Sequence, residues 1–274
     1  MNYVAPRWLP GGNLQTIWPA LYARRVVDDL PVYRRQRWTA PDTDFIDVDW
    51  LVDSAPTLVT ACTALPPEGA GLAWGGPTRR PDVPPTPATD APALLVLFHG
   101  LEGSSGSHYA QAFADFARQQ GMAFAVPHFR GCSGELNLGP RAYHSGDHAE
   151  IGWVLQRFRE LHAGPIVVVG VSLGGNALLR WAQEMGATAG NVVSAVAAVS
   201  SPIDLAAGGR AIGRGFNRLV YTRMFLNTMK PKALRKLDQH PGLFDREAML
   251  QARDLYDFDN VFTAPVHGFK NTED

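Results

Sequence analysis

Val167-Val168-Val169-Gly170-Val171-Ser172-Leu173-Gly174-Gly175 is the stretch whose reading decides the fold. A β-branched run climbs to Gly170-Val171-Ser172-Leu173-Gly174, a G-x-S-x-G pattern. It then passes into Asn176-Ala177-Leu178-Leu179-Arg180-Trp181-Ala182, which reads as a helix. Strand, five-residue turn and helix together form the context in which this pattern makes a nucleophile elbow. The serine of such an elbow sits on a sharp, strained turn and projects its hydroxyl above the sheet. Glycine at 170, 174 and 175 lets neighbouring backbone pass close by. The helix that follows aims its first amides at the same spot.

Working outward, Ala93-Leu94-Leu95-Val96-Leu97-Phe98 reads as a buried strand that ends in His99-Gly100-Leu101-Glu102-Gly103. Ser107 is placed to cap a helix whose apolar face includes Ala110, Phe113, Phe116 and Ala117. Ala123 to Val126 makes the next strand, followed by the loop Phe129-Arg130-Gly131-Cys132-Ser133-Gly134. Asp147 to Leu161 is a second amphipathic helix with Ile151, Val154, Leu155 and Phe158 inward, and Val192 to Val199 is one more strand. Strands alternating with helices require a parallel sheet with right-handed crossovers. Ligands in such sheets bind beyond the carboxyl ends of the strands, where the loops 99–105, 129–134 and 170–175 converge.

Ahead of this core, residues 1–30 read as an irregular, aromatic-rich lead-in with Trp8, Trp18 and Tyr22. Val32 to Thr39 and Phe45 to Leu51 read as a hairpin turning at Ala40 to Asp44, and 64–92 as a Pro/Gly-rich disordered surface loop. Residues 205–263 read as a helical cap, with helices such as Arg218 to Met229 and Arg246 to Tyr256.

Composition narrows the possibilities. The 274 residues, 46% hydrophobic, suffice for one large α/β domain. Twenty-five basic against 26 acidic residues give no excess that argues for nucleic acid. Cys62 and Cys132 make neither a disulfide framework nor a metal set, so a cytoplasmic location is expected. The N-terminus lacks a signal-peptide stretch, and apolar runs are strand-sized, so no transmembrane segment is expected.

A serine needs a base to remove its proton. On folds built around this elbow the order is Ser, then Asp or Glu, then His, on loops after later strands. Neither an acid nor a base of that kind is found in the chain. Two strand–helix units, about 60 residues at roughly 30 each, are read as missing. Asp204, Asp238, Asp257 and Asp259 with His240 or His267 satisfy the order but lack the strands that should carry them. The oxyanion part is readable: the backbone amides of Leu101 and Leu173 are the candidate donors. His99 is either a base or, on the favoured reading, a residue that holds its loop. His128, His144 and His148 match no metal-ligand spacing and read as loop or capping residues. Cys132 reads as a small residue in a tight loop rather than a reactive thiol, and His108 carries no signal.

Six stretches together carry a resemblance: Gly12 to Thr16, Leu97 to Ser105, His128 to Glu135, Tyr143 to Gly146, Gly170 to Asn176 and Ala264 to Phe269. On these the sequence resembles the YheT-like branch of the α/β-hydrolases, related to medium-chain lipid and short-chain ester hydrolases. The resemblance implies an α/β-hydrolase fold, Ser172 as nucleophile, no cofactor, and a small-molecule or lipid-like ester substrate. It also implies a chain that stops before the family's acid and histidine, with His267 as a cap-to-sheet connector. The expectation is a serine carboxylesterase acting through an acyl-enzyme on short- or medium-chain esters. The alternatives are an inactive, truncated remnant or an acyltransferase on the same fold. For the loop, replacing residues 64–92 by a short Gly-Ser link should leave the folded protein soluble. Aggregation of the shortened form beside a soluble parent would contradict this.

Overall fold

The computed structural model describes residues 4–22, 30–52 and 91–273. Six strands form one sheet: β1 Tyr33–Thr39, β2 Phe45–Leu51, β3 Leu94–Phe98, β4 Ala123–Pro127, β5 Ile166–Val171 and β6 Ala195–Val199. Their order is β1-β2-β4-β3-β5-β6. β2 is antiparallel to both its neighbours, while β4, β3, β5 and β6 run parallel. The parallel pairs require crossovers, supplied by the helices α2 His108–Gln119, α3 His148–Leu161 and α4 Leu173–Met185.

Period-two alternation sends the strand residues to two cores. Leu94, Val96 and Phe98 of β3 pack with Ile151, Val154, Leu155 and Phe158 of α3 and with Ala177, Leu178 and Trp181 of α4. Leu95 and Leu97 face the other way, against Ala110, Ala114 and Ala117 of α2. A strand covered on both faces must read as an unbroken apolar run, and all five β3 residues are buried.

β2 breaks that rule. Asp47 and Asp49 lie within it, Asp44 just before it, and all three are buried. Each is matched by donors. Asp49 takes Arg35 bidentately at 2.7 and 2.9 Å, Ser105 Oγ at 2.6 Å and His128 Nε2 at 2.8 Å. Asp47 takes Arg37 at 2.7 and 2.9 Å and Ser133 Oγ at 2.7 Å. Asp44 accepts from Arg130, Asn137 and the amides of Leu138 and Gly139. Burial alone would raise these pKa values, but the donors outweigh it and hold all three carboxyls below the usual range.

The structure corrects several details. Residues 11–22, expected to be irregular, form helix α1 Gly11–Tyr22. Ser107 does not cap α2 with its side chain; its Oγ accepts the Ser104 N–H at 3.0 Å. Phe116 is half exposed rather than inward. The strand expected from Val192 begins at Ala195, after the 3-10 turn Gly186–Asn191, although Val192 and Val193 still join the core. Among the described residues β6 pairs with β5 alone, and its five residues are exposed. Nearly all of the loop at 64–92 lies outside the described residues.

After β6 the described chain is helical: α5 Leu205–Ile212, α6 Gly215–Asn217, α7 Arg223–Gln239, α8 Arg246–Gln251, α9 Leu255–Phe258 and α10 Ala264–His267. Two π-helical turns, Arg218–Thr222 and Asp259–Thr263, run into α7 and α10. This segment has its own small core of Leu226, Ala233, Met249, Phe258 and Phe262. No helix of the described residues is long and apolar enough to cross a membrane.

Because the folded state depresses the Asp49 pKa, its stabilisation is present above the ordinary carboxylate range and fades as pH falls below about 4. Asp49→Asn should therefore cost roughly 1.5–3 kcal/mol at pH 7, as for a hydrogen bond to a charged group. The gap to the parent should narrow below pH 4. Denaturant midpoints across pH measure this; a gap independent of pH would contradict the assignment.

Candidate functional site

Ser172 follows the last residue of β5 and precedes the first of α4. Its backbone takes φ 54°, ψ −118°, a region that non-glycine residues enter only when the surroundings enforce it. Ser172 N–H donates to Val199 O at 2.9 Å, and Ser172 O accepts from Asn176 N–H at 3.1 Å. Asn176 in turn donates its side chain to Pro202 O at 2.7 Å, tying the turn to the chain after β6.

The glycines create a close approach. A Cβ at Gly174 would lie 2.5 Å from Phe98 O and against His99 O, so the first turn of α4 rests on the backbone leaving β3. A Cβ at Gly100 would lie 3.3 Å from Ser172 Cβ. The 99–103 loop is therefore brought beside the serine, as the convergence of loops requires.

The amide accounting around the serine is selective. Gly100 N–H donates to Tyr109 OH at 2.9 Å, Glu102 N–H to Tyr143 OH at 3.1 Å and Gly103 N–H to Gly100 O at 2.9 Å. The N–H of Leu101, between them, makes no hydrogen bond among the described residues. The same holds for Leu173 N–H, at the first position of α4.

His99 is fully buried. Its Nε2 accepts the Phe129 N–H at 3.1 Å, which leaves Nδ1 to donate to Gly100 O at 2.8 Å. Burial pushes its pKa down to about 3. A neutral ring with both nitrogens engaged holds the loop and has nothing left with which to take a proton.

The other candidates are scattered. Asp204 accepts from Ala207 N–H at the start of α5, Asp257 from Arg253 N–H, and Asp259 from Thr263 Oγ1. His240 Nε2 bonds Leu138 O at 2.9 Å. His267 lies edge-on to His144, its rings 4.4 Å apart, with burial and then His144 pushing its pKa down to about 4. Asp238, at the end of α7, bonds none of them. Among the described residues the one carboxylate–histidine hydrogen bond is Asp49–His128, inside the polar spine of β2, and Ser172 Oγ has no hydrogen-bond partner. His144 and His148 each bond Gly146, and His108 packs edge-on to Tyr109. Among the described residues no three His, Cys, Asp or Glu side chains are grouped to hold a metal ion.

Some neighbours of the site escaped the sequence reading. Glu102 Oε1 accepts from Tyr143 OH at 2.8 Å and from Lys232 Nζ at 2.7 Å. Lys232 and Lys236 of α7 and His240, the residue that caps its C-terminus, recur every fourth residue, and that spacing was the available signal. Lys236 Nζ bonds the carbonyls of Asn137 and Gly139 at 2.6 and 2.8 Å. Cys132 is held beneath Lys232, and burial pushes its thiol up to about 11, so it is protonated near neutrality.

A family model described as the alpha/beta hydrolase fold matches residues 93–223, from β3 past the elbow to the first residue of α7. The Escherichia coli protein named "Putative esterase YheT" is 34% identical over 276 aligned positions, covering all of this chain and 70% of that protein. The chain belongs to the YheT-like α/β-hydrolase family. Mouse "Phospholipase ABHD3" is 27% identical over 192 residues, 68% of this chain and 45% of that one. The yeast "Monoacylglycerol lipase" is 25% identical, covering 71% and 44%. The matches thus take in under half the length of these last two relatives. The Pyrococcus furiosus esterase Pf2001 superposes with a TM-score of 0.44 at 17% identity, over 79% of this chain and 72% of that one.

The contact between α4 and the end of β3 leads to a direct test. Gly174→Ala must push two main chains apart, so it should lower stability by at least the roughly 1–3 kcal/mol of ordinary overpacking. The denaturant midpoint reports this; a neutral substitution would contradict the close approach.

Proposed function

We propose that this protein is a carboxylic ester hydrolase that uses Ser172 as nucleophile and the amides of Leu101 and Leu173 as oxyanion donors, with 205–263 as a cap over the site. One observation carries the reading: Ser172 holds a strained backbone conformation beside two amides that have no internal partner, while the amides flanking Leu101 are all engaged. Attack of Ser172 Oγ on an ester carbonyl would place the negative oxygen near such donors, and preorganised donors of this kind supply much of the rate in acyl transfer. The names of the relatives, an esterase, a phospholipase and a monoacylglycerol lipase, support esters as the substrate class.

A specific observation favours a second reading for the chain taken alone: no histidine bonds Ser172 among the described residues. Loss of triad members lowers turnover by orders of magnitude but leaves about 10³–10⁴-fold catalysis by the oxyanion site and binding. The 274-residue chain should then be a slow esterase that an external base can rescue. With p-nitrophenyl butyrate, added imidazole should raise turnover above free imidazole's own background, and Ser172→Ala should abolish that increment. Equal imidazole-dependent rates in the two proteins would sink the nucleophile assignment. Fast Ser172-dependent turnover without imidazole would show that the chain contains its own base.

A further inference from the structure

Glu102 is the one residue of the 99–103 loop that takes a left-handed conformation, at φ 56°. Glycine or asparagine is the usual occupant of such a position. A glutamate there needs something to hold it, and the structure supplies a hold on both its backbone and its side chain. Tyr143 OH accepts the Glu102 N–H at 3.1 Å and donates to Glu102 Oε1 at 2.8 Å. Lys232 Nζ reaches the same oxygen at 2.7 Å from α7. The side chains of Glu102 and Lys232 are only 13% and 21% exposed, so the pair is largely withdrawn from screening solvent.

Tyr143 is fixed in its turn. Its ring stacks on Phe129 with centroids 5.2 Å apart at 14°. Phe129 donates its N–H to His99 Nε2, and His99 Nδ1 donates to Gly100 O. The contacts close a ring: His99, Phe129, Tyr143, Glu102 and back through the loop. Leu101 sits on the short arc between Gly100 and Glu102. Lys232 is the member of this arrangement that comes from outside the sheet and its loops.

We infer that Glu102 and Lys232 are positioning residues: their ion pair, with Tyr143, fixes the turn that aims the Leu101 N–H, so docking of α7 sets whether the oxyanion site is formed. Neither side chain is assigned contact with the reacting atoms. The inference rests on the Ser172 reading for its catalytic meaning, but not for its structural content.

The two parts are separated by measuring both on the intact 274-residue chain. In the first, hydrogen exchange of the amides from Gly100 to Gly103 is compared in the parent and in Lys232→Met, which keeps the length and removes the charge. Exchange at Glu102 and Gly103 should rise about tenfold, reporting local opening, while Val167 to Val169 of β5 stay protected. Unchanged loop exchange overturns the inference, whatever the parent does with esters. In the second, imidazole-supported turnover of p-nitrophenyl butyrate is measured for Lys232→Met, Lys232→Arg and Glu102→Gln. The first and last should lose about 100-fold in kcat, the scale expected of a misplaced catalytic group. KM should stay within about twofold, and Lys232→Arg should recover most of the loss. Faster loop exchange with kcat unchanged, or KM rising in place of a fall in kcat, overturns the positioning role. A parent without any Ser172-dependent turnover counts against the Ser172 reading instead, and the exchange result then decides the coupling alone.

Discussion

At Ser172 the chain has to leave a buried strand and begin a helix within one residue, at φ 54° and ψ −118°. A backbone in that region persists only if its surroundings over-determine it. Much of the centre of the molecule serves that end. Val199 O receives the serine's own N–H, which makes the sheet's last parallel pairing part of the elbow. α4 rests on the backbone leaving β3 because Gly174 has no Cβ. That contact in turn fixes the start of the 99–103 loop. The strain at Ser172 and the placement of the 99–103 loop far earlier in the chain are therefore two sides of one packing constraint.

The loop is then shaped by polar bonds, not apolar packing. Gly100, Glu102 and Gly103 each give their N–H to a partner, and His99 is locked as a neutral donor and acceptor. Between these satisfied amides the half-buried Leu101 keeps an N–H without a protein partner among the described residues. Under the proposed Ser172 chemistry this would be a donor already oriented where charge develops, needing no reorganisation at the moment of reaction. Position 102 shows how local this design is. A side chain that would relax out of the left-handed region is held there by a tyrosine and a lysine, and the unpaired amide is its immediate neighbour.

The parts of the fold that could be read from the sequence are those where one physical rule acts alone. β3 and β5 are covered on both faces, so they read as apolar runs. The inward residues of α3 follow helical spacing, and all four are buried. β2 was recognisable as a strand, but Asp47 and Asp49 mask its burial: alternation looks imperfect when buried positions carry carboxylates whose partners, Arg35, Arg37, Ser105, Ser133 and His128, lie on other segments. The same holds at the site. Ser172 and Leu173 are candidates that a local motif and its strand–helix context suggest, and Leu101 is one suggested by the loop that follows β3. Glu102, Tyr143 and Lys232 are not suggested in this way, because their meaning lies in contacts across 41 and 130 residues of sequence. α1 escaped for a different reason. Its aromatic residues remain largely exposed, so no apolar stripe marks a buried face.

The docking of α7 shows why this long-range part is polar. Lys232, Lys236 and His240 lie along one stripe and grip Glu102, the Asn137 and Gly139 carbonyls and the Leu138 carbonyl in turn. Burial pushes the Lys236 ammonium down to about 8, so this residue works against its own desolvation near neutral pH. Two carbonyl acceptors offset that cost only when Asn137 is itself held, and Asn137 is clamped to Asp44 at the head of β2. An apolar stripe would have docked α7 with less dependence on geometry, since burial of hydrocarbon is non-directional. Directional bonds to backbone carbonyls and to one carboxylate accept a single register. The helical segment is thereby tied to the same polar spine that stabilises β2 and to the loop beside Ser172. A change in its register would be felt at Glu102 before it was felt in either apolar core of the sheet.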